Sequence, residues 1–168
     1  MSLLRFFLAG LLLLLSTPVL STSGHTDVRY TVSKVYDGDT VELKTHTGDR
    51  LKLRLADIDA PERNQAFGQK ARRALTNLCK GSAISVDLAG KDKYNRHLGR
   101  LQCNQTDASL YMAEHGYAWH NAKYSDNLAI KNAAATARRM HIGLWGAENP
   151  IAPWVWRRLH QNAYPPAR

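Results

Sequence analysis

Residues 53–62 read L-R-L-A-D-I-D-A-P-E, and one strand upstream residues 37–40 read D-G-D-T, so five carboxylates share a short stretch of chain with Arg54. Carboxylates are hard oxygen donors suited to Ca²⁺ or Mg²⁺, while a guanidinium is a rigid fork that can grip a phosphate through two parallel hydrogen bonds. The combination points to metal-assisted cleavage of a phosphodiester. Such a reaction must bring water onto a phosphorus shielded by negative oxygens, so its main requirement is positive charge around those oxygens. Two carboxylates would hold the metal, a third could orient or deprotonate the water, and Pro61 would stiffen the turn that sets Asp59 against Glu62. Each residue also has a plainer reading. Asp37 and Asp39 could be turn residues, Arg54 could be ion-paired to Asp57 or Asp59, and Arg96 could be a solvated charge in a basic loop. Asp37 keeps the turn reading, because the first side chain of an Asp-Gly turn can bond the backbone just beyond it.

These residues need a frame. Residues 28–56 alternate as half-buried strands do, with Tyr30, Val32, Val41, Leu43, Leu51, Leu53 and Leu55 on one face and turns at Asp37-Gly38 and 47–49. Arg54 falls on the face opposite the leucines, so an apolar core fixes its backbone while its head points elsewhere. Residues 66–79 change to helical spacing, with Phe67, Ala71, Ala74, Leu75 and Leu78 on one stripe. Two more strands follow at 83–88 and 97–103, joined by the charged turn A-G-K-D-K-Y-N-R. A helix capped by Asp107 runs over 108–115. A last helix, capped by Ser125 or Asp126, reaches about 141 with Ala129, Ala133, Ala137 and Met140 facing inward. The tail, 147–168, lacks a period and is expected to be irregular, with Trp154 and Trp156 packed back onto the body. The class is α+β, mainly β: a five-stranded OB-type barrel with three helices.

A chain of 168 residues fits one domain with a real core. Residues 1–23 place Arg5 before an apolar run and then small polar residues, the pattern of a cleaved secretory signal; the run is shorter than the ~20 residues a bilayer span needs. The expected domain is 28–146, in the periplasm or the medium, without stable membrane association. The net charge is +9, and residues 66–100 carry eight lysines and arginines against two aspartates, a stripe that attracts polyanions. The two cysteines, Cys79 and Cys103, are expected to pair because an exported protein meets an oxidising compartment. Tyr94, on the charged turn beside Arg96, has the exposed setting of a base-stacking platform.

Four motifs, V-Y-D-G-D-T-V, R-L-A-D-I-D-A-P-E, D-K-Y-N-R-H-L-G-R and G-L-W, occur in order over most of the chain and together resemble the staphylococcal nuclease family. The tail P-I-A-P-W-V-W-R is similar to the C-terminal extension of many bacterial members. The resemblance implies a Ca²⁺-dependent endonuclease on an OB-type barrel that hydrolyses DNA and RNA and leaves 3′-phosphates; single-stranded or locally open substrate is the expected preference, and the expected state is a monomer. Carried over by position, Asp39, Asp59 and the backbone carbonyl of Ala60 match the metal ligands. Glu62 matches the residue that holds the attacking water, and Arg54 and Arg96 match the phosphate-binding arginines. Tyr94, Leu98 and Tyr124 match the walls of the nucleotide pocket. The loop R-N-Q-A-F-G after Glu62 is shorter than the lysine-bearing loop of the family's best-known member. The alternative function is a non-catalytic nucleic-acid-binding module on the same barrel; survival of all three carboxylates and both arginines is what separates the two.

Overall fold

The computed structural model describes residues 29–160. The expected signal segment 1–23 and the last residues, 161–168, lie outside them. Strands β1 (Tyr30–Val35), β2 (Thr40–Thr45) and β3 (Arg50–Leu55) form an antiparallel meander. After the two-residue strand β4 (Ile58–Asp59) comes helix α1 (Gly68–Cys79). Strands β5 (Ile84–Lys91) and β6 (His97–Cys103) make a hairpin, continued by the short β7 (Thr106–Asp107). Helix α2 (Ala108–Glu114) is capped by the Asp107 carboxylate, which accepts from the Leu110 N–H. Strand β8 (Trp119–His120), helix α3 (Leu128–Arg139), a 3₁₀ turn (Gly143–Gly146) and helix α4 (Pro153–Leu159) complete the order.

The barrel closes where β3 pairs with β6 in parallel, Leu53 opposite His97, Arg54 opposite Leu98 and Leu55 opposite Gly99. Five strands, β1, β2, β3, β5 and β6, therefore enclose the core, as the expected OB-type architecture requires. Its interior is filled by Val41, Leu43, Leu53, Leu55, Leu75, Leu101 and Met112, all essentially without solvent access. Alternation along β3 is the cause: Leu53 and Leu55 point inward, so Arg54 must point to the other side. Gly99 is required at the seam. A Cβ there would lie 2.3 Å from the Asp87 carbonyl oxygen, far inside van der Waals contact.

Three expectations are corrected. The chain has four α-helices among the described residues, not three, because the tail expected to be irregular holds α4. Pro153 at its first turn is preset for helix and is buried, but seven residues make less than two turns, too few to display a period of 3.6. Helix α3 is capped by Asn127, whose side-chain oxygen accepts from the Ala129 and Ile130 N–H groups, rather than by Ser125 or Asp126. Its buried face is Ile130, Ala134 and Ala137; of the expected stripe Ala137 is buried and Ala133 packs half-buried against the core, whereas Ala129 is exposed and Met140 is 62% exposed. The face is centred on Ile130, which contributes more apolar surface than any alanine beside it.

Candidate active site

The site begins in the D-G-D-T turn. Asp37 Oδ1 accepts the Asp39 N–H at 3.0 Å, which makes Asp37 a turn-former, as its position beside Gly38 led us to expect. A Cβ on Gly38 would lie 2.7 Å from the Cβ atoms of both Ala60 and Ala71, so only glycine lets this turn lie against the Asp59–Pro61 segment and α1. Asp39 is consequently buried. Its Oδ2 accepts the Ala60 N–H at 2.6 Å, its Oδ1 accepts the Thr40 hydroxyl at 3.0 Å, and its own carbonyl accepts the Leu55 N–H at 2.7 Å.

Arg54 reaches from β3 into the same space. Its Nη1 donates to the carbonyls of Leu55 and Ile58 at 2.9 and 3.0 Å and lies 3.1 Å from Asp39 Oδ2; its Nη2 donates to Asp59 Oδ1 at 2.9 Å. One guanidinium thus bridges both carboxylates. The pairing with Asp59, weighed in the sequence as a plainer role, is present together with the convergence the chemistry needs. Asp57 is not part of it. With φ 70° it turns the chain, takes a bond from the Asn127 amide at 3.1 Å and lies 3.8 Å from Arg100.

Asp59 is aimed by the pairing of β4 with β8, where it lies opposite Trp119. Only 4% of Asp39 and 3% of Asp59 remain exposed. Burial, helped by Asp37 and opposed by Arg54, pushes the Asp39 carboxyl up to about 6. Burial and the nearness of Asp39 also raise that of Asp59, against the pull of Arg157 and Arg54. Two arginines do not fully offset the cost of burying two carboxylates this close together, and burial favours their neutral form.

Glu62 sits at the rim. The buried Gln65 holds its segment, accepting the Glu62 N–H through Oε1 at 3.0 Å and donating through Nε2 to the Ile151 carbonyl at 2.6 Å. Sequence reasoning passed over Gln65. It also assigned no role to Arg157, which comes from α4 and donates to Asp59 Oδ1 and Oδ2 at 3.2 and 2.7 Å and to Glu62 Oε1 at 2.7 Å. The signal was present in the P-W-V-W-R tail, but nothing in the chain order places residue 157 beside residue 59.

The other candidates lie apart from this cluster. Arg96, on the turn between β5 and β6, is bound to Asp92 by its Nε and Nη2, both at 2.7 Å, and by its backbone N–H at 3.0 Å. Burial works against the Asp92 charge, but these bonds and one from the Tyr94 N–H hold its carboxyl below the ordinary range. Tyr94 is 53% exposed, with the Arg96 guanidinium 5.5 Å from its ring centre, and Leu98 is half-buried in register with Arg54. Tyr124 stands 76% exposed on a separate loop, tethered through the Asn121 N–H to the Asp57 carbonyl at 2.9 Å. The structure therefore joins Asp39, Arg54, Asp59, Ala60 and Glu62 in one place and sets Tyr94, Arg96 and Leu98 along the adjoining hairpin.

Among the described residues no group of three or more His, Cys, Asp or Glu side chains is arranged to hold a metal ion. The oxygen groups brought together are the carboxylates of Asp39 and Asp59, each already bonded to protein donors, with Glu62 at the rim. An all-oxygen set suits Ca²⁺, which accepts carboxylates, carbonyls and waters in irregular geometry, better than zinc, whose sites are dominated by histidine and cysteine.

A disulfide joins Cys79, the last residue of α1, to Cys103, the last of β6, with a Cα–Cα distance of 5.0 Å.

A family model described as staphylococcal nuclease homologue matches residues 52–147. The chain is 37% identical over 154 residues to an uncharacterized endonuclease of Haemophilus influenzae, covering 92% of this chain and 85% of that one. It is 33% identical over 171 residues to a micrococcal nuclease of Shigella flexneri, covering 95% of each. An uncharacterized endonuclease of Escherichia coli O157:H7 is 30% identical over 155 residues, 92% of this chain and 98% of its own.

Proposed function

The chain belongs to the staphylococcal nuclease family, and from that premise we propose that it is an exported, Ca²⁺-dependent endonuclease that hydrolyses DNA and RNA and leaves 3′-phosphates. One observation carries the reading: two almost fully buried carboxylates, Asp39 and Asp59, bridged by a single guanidinium and flanked by a third carboxylate, Glu62. A purely structural pair of this kind would be costly in a barrel wall, because buried charge is expensive unless it is fully compensated.

Asp39, Asp59 and the Ala60 carbonyl would hold the ion. When bound, Ca²⁺ supplies positive charge against the phosphate's oxygens as negative charge builds on them. Arg54 is held by protein acceptors on both of its Nη atoms, so its charge is oriented before substrate arrives. Glu62 holds and deprotonates the attacking water, and Arg96 supplies a second guanidinium to the phosphate from the hairpin turn. Tyr94, Leu98 and Tyr124 receive the base. A single exposed ring such as Tyr94 stacks on an unpaired base, which favours single-stranded or locally open substrate. Export rests on residues 1–23; among the described residues no helix is long and apolar enough to cross a membrane.

The test is incubation of purified protein with single-stranded DNA, duplex DNA and RNA, in Ca²⁺ or in chelator. Cleavage of DNA and RNA in Ca²⁺ and none in chelator is expected, with products ending in 3′-phosphate. Undiminished cleavage in chelator would remove the metal, 3′-hydroxyl ends would reassign the attack, and tight binding without cleavage would make the chain a binding module.

A further inference from the structure

Arg157 sits among the carboxylates that the proposed function gives to the metal and the water. Its two Nη atoms take both oxygens of Asp59 and one of Glu62. With the Arg54 contact, Asp59 Oδ1 accepts two bonds and Oδ2 one, so three of its roughly four acceptor sites are occupied. A Ca²⁺ ion binds ligand oxygens at about 2.3–2.6 Å, which on Asp59 would set it against the Arg157 guanidinium. Two cations cannot share that position.

The balance of charge agrees. Asp39, Asp59 and Glu62, when ionised, carry three negative charges against the two positive charges of Arg54 and Arg157. Without Arg157 the excess is two, which a divalent ion matches.

The approach of Arg157 is built rather than incidental. Pro153 is buried at the start of α4, the Trp154 ring meets Trp119 edge-on at 6.4 Å, and Trp119 is the strand partner of Asp59. The Gln65 bond to the Ile151 carbonyl ties the segment before α4 to the Glu62 loop. Yet the Arg157 side chain keeps 41% of its surface exposed, so it can leave toward solvent without disturbing the core.

We propose that Arg157 is a tethered cation that competes with the divalent metal for Asp59, lowering metal affinity and holding the acidic site together until the metal displaces it. The inference rests on the metal reading of the site. By linkage, what Arg157 costs the metal the metal costs the docking of α4, so binding of Ca²⁺ loosens this helix.

Calorimetric titration of the full chain with Ca²⁺ compares wild type with Arg157→Gln, which keeps a polar side chain of similar reach and removes the charge. The variant is expected to bind roughly tenfold more tightly, within the span of about 5- to 150-fold usual for coupled sites. Arg157→Lys, still cationic, should stay near wild type. Equal or weaker affinity in Arg157→Gln overturns the proposal while leaving the metal reading intact. Absence of Ca²⁺ binding in both proteins overturns the two together. Should Arg157→Gln fail to show a cooperative melt, hydrogen exchange on wild type decides: faster exchange over α4 when Ca²⁺ is added supports the competition, and unchanged exchange overturns it.

Discussion

At the scale of single residues, Glu62 and Asp39 make separable demands. Glu62 is proposed to act on the water in the transition state, so Glu62→Gln should lower turnover by ~10²–10⁴-fold and leave substrate binding nearly unchanged. Single-turnover rates alongside binding titrations measure the two; a variant near the wild-type rate would assign Glu62 to structure through its Arg157 bond. Asp39 is raised by burial to about 6, above the ~3.9 of an unfolded aspartate. A carboxyl raised on folding stabilises the protein in its protonated form, a contribution complete below about pH 4 and lost as pH rises through about 6. In chelator, the melting temperature of wild type relative to Asp39→Asn should therefore fall between pH 4 and pH 6.5. Parallel curves would mean that Asp39 is better compensated than its burial implies.

Elements bring these residues within reach. Glycine at 38 seats the D-G-D-T turn against Ala60, β3 alternation turns Arg54 away from its leucine neighbours, and the β4–β8 pairing aims Asp59. The Cys79–Cys103 bond closes a separation of 24 residues that includes the hairpin turn of Tyr94 and Arg96. A crosslink over that length contributes roughly 3 kcal/mol, chiefly by restricting the unfolded chain. Reduction should lower the melting temperature by several degrees and leave room-temperature activity largely intact; an equal loss of both would mean that the bond also holds the hairpin in its working position. The Asn127 cap carries a smaller stake. Asn127→Ala should cost about 1 kcal/mol, read from denaturant midpoints, with no change in cleavage at saturating substrate.

Over the whole molecule, a net charge of +9, of which the expected signal segment contributes only Arg5, favours encounter with a polyanion. Each phosphate neutralised by a lysine or arginine releases condensed counterions, so affinity for single-stranded DNA should fall linearly in a double-logarithmic plot against salt. Arg96→Ala tests how much of this belongs to one side chain. If Arg96 stabilises the transition state, the variant loses at least ~10²-fold in turnover; if it is one basic charge among many, only the salt slope moves, by about 0.7 for a single strand.

The strands of the barrel and the residues of the acidic site were legible in the chain because alternation and turn chemistry are local, and the order of elements with the family resemblance supplied the closure. Alternation placed Leu53, Arg54 and Leu55 on their faces, and Asp59, Ala60 and Glu62 are held together by a turn of a few residues. The α3 cap and face were misread because neighbouring polar caps and a run of alanines differ too little for sequence to rank them. What the sequence determined by itself was the set of carboxylates and arginines proposed to hold a cation and a phosphate, together with the strands that present them. Only the tertiary structure decided that the carboxylates would be buried and that Arg157 would lie on Asp59 from 98 residues away. Burial and long-range pairing arise from how finished elements pack, and β-strand and helical periods specify the packing faces without naming which distant side chain will meet them.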